Sequence, residues 1–143
     1  MRETYRVLKP SGTFLFNVWD AIEHNDLPNL AHTIITKFFA DNPPDFYQIP
    51  FSFHDQETIR SLLSTVGFRE IQMSLVPLPS MSPSADEVTI GLVHGNPVIN
   101  AIRERSESSL PEIEAAIAAA VATQFGTAPV RAKMQALICR AVR

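Results

Sequence analysis

Glycine is scarce in this chain, five in 143 residues, at positions 12, 67, 91, 95 and 126. No two have G-x-G spacing, and only Gly91 and Gly95 are close together. The sequence therefore holds no glycine-rich loop of the kind that lets a backbone approach a phosphate. Cysteine is scarcer. Cys139 stands alone, which excludes an internal disulfide, and His24, His32, His54 and His94 are scattered without metal-ligand spacing, so no metal centre is expected. The chain has no charged-then-apolar leader and no apolar run long enough for a membrane span, and on that ground it reads as cytoplasmic with no membrane partner. It also lacks a basic surplus: 12 Lys and Arg stand against 15 Asp and Glu, a formal net charge of -3, and no nucleic-acid partner is expected.

Apolar residues and proline are plentiful. At 45% hydrophobic, a chain of 143 residues can bury the core of one ordinary domain, while eleven prolines impose many breaks. Arg2 to Leu8 reads as the last turns of a helix. Lys9-Pro10-Ser11-Gly12 stops it, because Pro10 lacks a donor and disfavours the α conformation at Lys9, and Gly12 tolerates positive φ. The nearly unbroken apolar run Thr13-Phe-Leu-Phe-Asn-Val-Trp19 predicts a strand covered on both faces; a buried hairpin strand is the other reading of the same pattern.

Farther on, Leu27, Leu30, Ile34 and Phe38 have helical spacing, and Asp45 to His54, with four aromatic residues and Pro50, reads as extended and partly buried. A helix follows, N-capped by Asp55 with Ile59, Leu62, Leu63 and Val66 on one face and closed by Gly67, with Phe68 placed for a Schellman contact. Ile71, Met73 and Leu75 then alternate with polar residues as a strand would. Pro77, Pro79 and Pro83 mark a loop before a helical stretch. That stretch breaks at Gly95-Asn96-Pro97 and resumes strongly from Ser109 and Pro111 with Ile113, Ile117, Ala120 and Val121. Val130 to Ile138 alternates again and ends the chain on a strand.

The opening helix end, Lys9-Pro-Ser-Gly12 turn and apolar strand, together with Phe51-Ser-Phe-His-Asp-Gln-Glu57 and Val66-Gly-Phe68, resemble the C-terminal half of class I S-adenosylmethionine-dependent methyltransferases of the small-molecule group. The resemblance covers essentially all 143 residues, although each short motif alone is weak, and Ser11 stands where the family more often has glycine. It implies an α/β fold: a partial Rossmann-like sheet made of the last three strands, mixed parallel and antiparallel, with the seventh strand slotted between the fifth and sixth. Residues 1–143 would form one partial domain, with 82–126 a helical insertion covering the substrate side. By that resemblance the opening residues look like the middle of a protein rather than its beginning.

By the same resemblance the cofactor, S-adenosylmethionine, sits on the first half of the sheet, so it is not expected to bind this chain alone. The chain is then the substrate-side portion of an enzyme acting on a small molecule, inactive without its other half. The alternative is a non-catalytic oligomeric or ligand-binding remnant of the fold. Asn17, Trp19 and Asp20 are the substrate-side candidates because they stand at a strand's carboxyl end, where open α/β sheets bind ligands. Trp19 offers a flat face for stacking or cation-π contact, with plain core as its alternative, and His54 is a candidate general base or a structural residue before a helix cap. Asp20, Glu23 and Asp26 recur every three residues, as either a gathered site or a solvated acidic loop. The uncharged strand 13–19 is expected to lie at an edge and to be covered by self-association or by the missing N-terminal half.

Overall fold

The computed structural model describes all residues, Met1 to Arg143. In chain order it contains helix α1 (Arg2–Val7), strand β1 (Thr13–Trp19), a 3-10 turn at Ile22–His24, α2 (Asp26–Phe38), α3 (Gln56–Val66), β2 (Arg69–Ser82), α4 (Ala85–Val93), α5 (Val98–Ser106), a 3-10 turn at Glu107–Ser109, α6 (Leu110–Phe125) and β3 (Val130–Val142). The fold is α/β with one three-stranded antiparallel sheet in the order β1-β3-β2. The last strand lies between the first two, as the sequence led us to expect. The mixed parallel and antiparallel sheet does not form: β3 returns against β1 in register from Thr13↔Val142 to Trp19↔Ala136, and no adjacent pair is parallel. Parallel pairing would need a second neighbour for β1, and β1 is an outer strand.

The chain divides into two compact units. The first comprises residues 1–21, 51–77 and 135–143, and thus α1, β1, α3 and the adjoining lengths of β2 and β3. Its core is Ile59 and Leu63 of α3, Phe68, and Leu137, Cys139 and Ala141 of β3, with Tyr5, Phe14, Phe16, Val18, Ile71 and Met73 packed against it. Asp55 caps α3 as expected, its side chain accepting from the Thr58 N–H at 2.8 Å. At the other end Gly67 takes φ 110°, and the Phe68 N–H reaches the Leu63 carbonyl at 3.1 Å, which turns buried Phe68 back onto the helix.

Four local expectations along the chain need correction. In the turn after α1 the left-handed residue is Ser11, at φ 63°, and not Gly12. Gly12 is required for space, since a Cβ there would stand 2.8 Å from the Lys9 carbonyl oxygen. The strand β1 is covered on one face only. Phe14, Phe16 and Val18 are half-buried against the core, while Thr13, Leu15, Asn17 and Trp19 alternate outward, Leu15 at 67% exposure. Third, Phe46 to Phe51 forms consecutive turns in place of an extended segment, Pro50 falling among them. Likewise β2 does not end at Pro77: it runs on through Pro79 to Ser82, which an outer strand permits because a missing N–H on its open side breaks no ladder bond.

The second unit comprises residues 22–50 and 78–134, with α2, α4, α5 and α6. Its core is drawn from Leu27, Leu30, Ala31 and Ile35 of α2, Val88, Leu92 and Val93 of α4, Val98 and Ile102 of α5, and Ile113, Ile117 and Val121 of α6. On α2 the buried stripe passes through Ile35, leaving Ile34 half-buried, one position from the residue the spacing picked out. The break between α4 and α5 falls at the expected Gly-Asn-Pro, where the Asn96 side-chain amide donates to the Gly91 and Leu92 carbonyls and so closes the end of α4. Tyr47 is buried, and its hydroxyl donates to the Leu92 carbonyl at 2.5 Å. No helix is long and apolar enough to cross a membrane.

Candidate functional site

Site residues expected from the sequence gather at the carboxyl end of β1, within the first unit. Pleating sends alternate side chains to opposite faces, so Asn17 and Trp19 emerge on the same face, the one turned away from the core under α3. Trp19 remains 38% exposed. One side of its indole lies against the buried Phe51 ring, centroid to centroid 6.0 Å and tilted by 35°, and the residue as a whole is partly open to solvent. Phe51 was read from the sequence as part of an extended aromatic segment; its partnership with Trp19 joins residues distant in sequence and was not visible there.

His54 is tied to the same aromatic pair through the backbone. Its Nδ1 lies 2.7 Å from the Phe51 carbonyl oxygen, which can only accept, so Nδ1 carries a proton and donates, and Nε2 is the nitrogen this bond leaves unused. His54 is thus a half-buried imidazole held by the backbone of Phe51, the residue whose ring packs against Trp19.

Asp20 has a different setting. It is buried, its backbone N–H donates to the Gln135 carbonyl at 3.1 Å, and its carboxylate accepts from the Gln135 side-chain amide. Asp20 thus fastens the end of β1 to β3 through both backbone and side chain. The other two carboxylates of the Asp20, Glu23, Asp26 spacing are in the second unit, where Asp26 accepts the Lys133 backbone N–H at 2.7 Å and Glu23 is exposed. No group of three or more His, Cys, Asp or Glu side chains is arranged to hold a metal ion. Cys139 is buried in the first-unit core, and burial pushes its thiol above the ordinary range, away from the thiolate that nucleophilic chemistry needs.

The second unit has a concavity that sequence reasoning did not single out. It is a groove of about 360 Å³ between α2 and α6, with Asp26, Asn29, Thr33 and Lys37 along one wall and Leu30 and Phe125 among its apolar lining. Helical spacing places the four polar residues together, but the facing helix is nearly ninety residues away in sequence, and no local pattern announces it. His94 Nε2 and Glu114 Oε1, 2.6 Å apart, join α4 to α6 elsewhere on this unit.

Three of the five glycines stand where a side chain would crowd the chain itself. A Cβ at Gly12 would meet the Lys9 carbonyl, at Gly67 the Tyr5 ring and at Gly95 the Gly91 carbonyl, so each is closed in by its own chain; Gly91 and Gly126 have nothing within 4 Å. Comparison with protein-family models and with curated proteins returns no match to this chain.

Proposed function

We propose that this chain is the C-terminal, substrate-side portion of a class I S-adenosylmethionine-dependent methyltransferase acting on a small molecule. The observation that carries the reading is the strand order. A helix end, a Lys-Pro-Ser-Gly turn and an apolar strand are followed by a helix closing on Gly-Phe, a second strand, a helical insertion and a last strand that returns antiparallel between the first two. That is the family's order for its fifth, sixth and seventh strands, and on this reading the sheet is the trailing part of a Rossmann-like one.

The residues present do not fit a site for S-adenosylmethionine. No glycine stands in a strand-turn-helix cradle, and Asp20, the carboxylate at the end of β1, is engaged by Gln135. The cofactor site therefore belongs to polypeptide that would add to the open side of β1. What this chain supplies is the substrate side: the Trp19 indole for a planar or cationic group, the Asn17 amide two residues back on the same face, and His54 Nε2 to accept a proton. Rate enhancement would come mostly from positioning and from exclusion of water.

Calorimetric titration with S-adenosylmethionine tests where the cofactor site lies. The chain alone is expected to give no saturable heat, whereas the chain preceded by an in-frame glycine-rich strand-turn-helix segment is expected to bind. Saturable binding by residues 1–143 alone would refute this placement. A second reading, a non-catalytic oligomeric remnant of the same fold, is favoured by one observation: β1 is an uncharged strand with an open side, suited to association whether or not a cofactor half exists.

A further inference from the structure

The open side of β1 can be described group by group. The Asp20 N–H donates to the Gln135 carbonyl and the Arg143 N–H to the Gly12 carbonyl, and these bonds bracket the register from Thr13↔Val142 to Trp19↔Ala136. Hydrogen-bonded and non-bonded pairs alternate along an antiparallel ladder. The even-numbered residues of β1 therefore bond to β3, and the N–H and C=O groups of Thr13, Leu15, Asn17 and Trp19 point to the open side. The sheet's other edge, β2, is protected by Pro77, Pro79, the charges of Arg69 and Glu70, and the positive φ of Glu70 at 47°. Nothing comparable protects β1, whose seven residues include no proline and no charge.

The geometry points to a second copy of this chain as the occupant of that side, with two β1 strands pairing antiparallel about a twofold axis through Asn17. The strand's own polarity suits this partner and this register. Leu15-Phe16-Asn17-Val18-Trp19 reads apolar, apolar, amide, apolar, apolar from either end, the self-complementarity that a twofold interface demands. Centred on Asn17, the odd residues form the hydrogen-bonded pairs, which is the parity β1 leaves open. Leu15 meets the partner's Trp19, Asn17 meets the partner's Asn17, and Phe16 meets the partner's Val18.

Each pairing joins like with like. The amides of the two Asn17 side chains can donate and accept across the axis, and Leu15 and Trp19, 67% and 38% exposed in the single chain, cover one another. A register centred on Phe16 would set Leu15 against the partner's Asn17 and is the poorer match. This inference does not depend on the methyltransferase reading. If that reading also holds, the second copy and the cofactor half compete for one edge.

Size-exclusion chromatography with light scattering at tens of micromolar tests the proposal. The wild-type chain is expected at twice its 15.9 kDa mass. Asn17→Pro removes an N–H that points to the open side and spares every β1–β3 bond, and Leu15→Lys puts a charge in the paired strands. Both variants are expected to elute as single chains with unchanged far-ultraviolet circular dichroism. A wild-type mass of one chain, a dimer that both folded variants retain, or an edge filled by a different polypeptide would overturn it.

Discussion

Tyr47 shows how one side chain fixes a stretch of chain that has no regular structure. Its hydroxyl is buried and donates to the Leu92 carbonyl at the end of α4, and burial raises its ionisation above the usual tyrosine range. Tyr47→Phe leaves that carbonyl with only the longer Asn96 bond at 3.2 Å, and is expected to cost about 1–3 kcal/mol in a urea-unfolding measurement. Asp55 gives a prediction in pH. The Thr58 hydroxyl and N–H hold its carboxyl below the usual range, so the capping contribution is complete above the unfolded-state carboxylate pKa and is lost as pH falls through the lower, folded-state value. Stability of the wild-type chain should decline over that acid interval more steeply than that of Asp55→Asn, which keeps a capping side chain but does not titrate. Equal slopes would show that the cap carries no linkage. Cys139, buried with a raised thiol pKa, should react with an aromatic disulfide reagent only as fast as the chain opens, and promptly once unfolded.

Among the elements, α3 and β1 show what local sequence does and does not disclose. The cap and the stop of α3 are encoded within fourteen consecutive residues from Asp55 to Phe68 and lie where their chemistry places them, but the expected stripe is narrower than its spacing: Ile59 and Leu63 are buried and Val66 half-buried, while Leu62 faces outward at 44% exposure because no element packs over that side. Leu63, with no exposed surface at the centre of the first-unit core, should cost about 2–5 kcal/mol as Leu63→Ala, against much less for Leu62→Ala on the exposed side. The strand β1 was recognisable as a strand, but its composition does not reveal that one face stays uncovered, because burial depends on what the rest of the chain brings to it. Trp19 and Phe51, thirty-two positions apart, met for the same reason without a local signal. Pro77 and Pro79 misled in the opposite direction: proline ends a central strand and is harmless on an outer one, and sequence alone does not say which strand is outer. The parity of β1 makes this testable by thermal unfolding. Val18→Pro deletes a bond to β3 and should lower the midpoint markedly, whereas Asn17→Pro should leave the single chain close to its own stability.

At the scale of the molecule, β1 is the outer, uncharged strand of a three-stranded sheet, and the proposal is that its open side receives a second copy of this chain. Residue-resolved amide exchange on β1 tests this most directly. At low concentration the Phe14, Phe16 and Val18 amides should exchange slowly and those of Thr13, Leu15, Asn17 and Trp19 quickly, and the second set alone should gain protection as concentration rises. Uniform protection along β1 in the single chain, or the reverse alternation, would contradict the account.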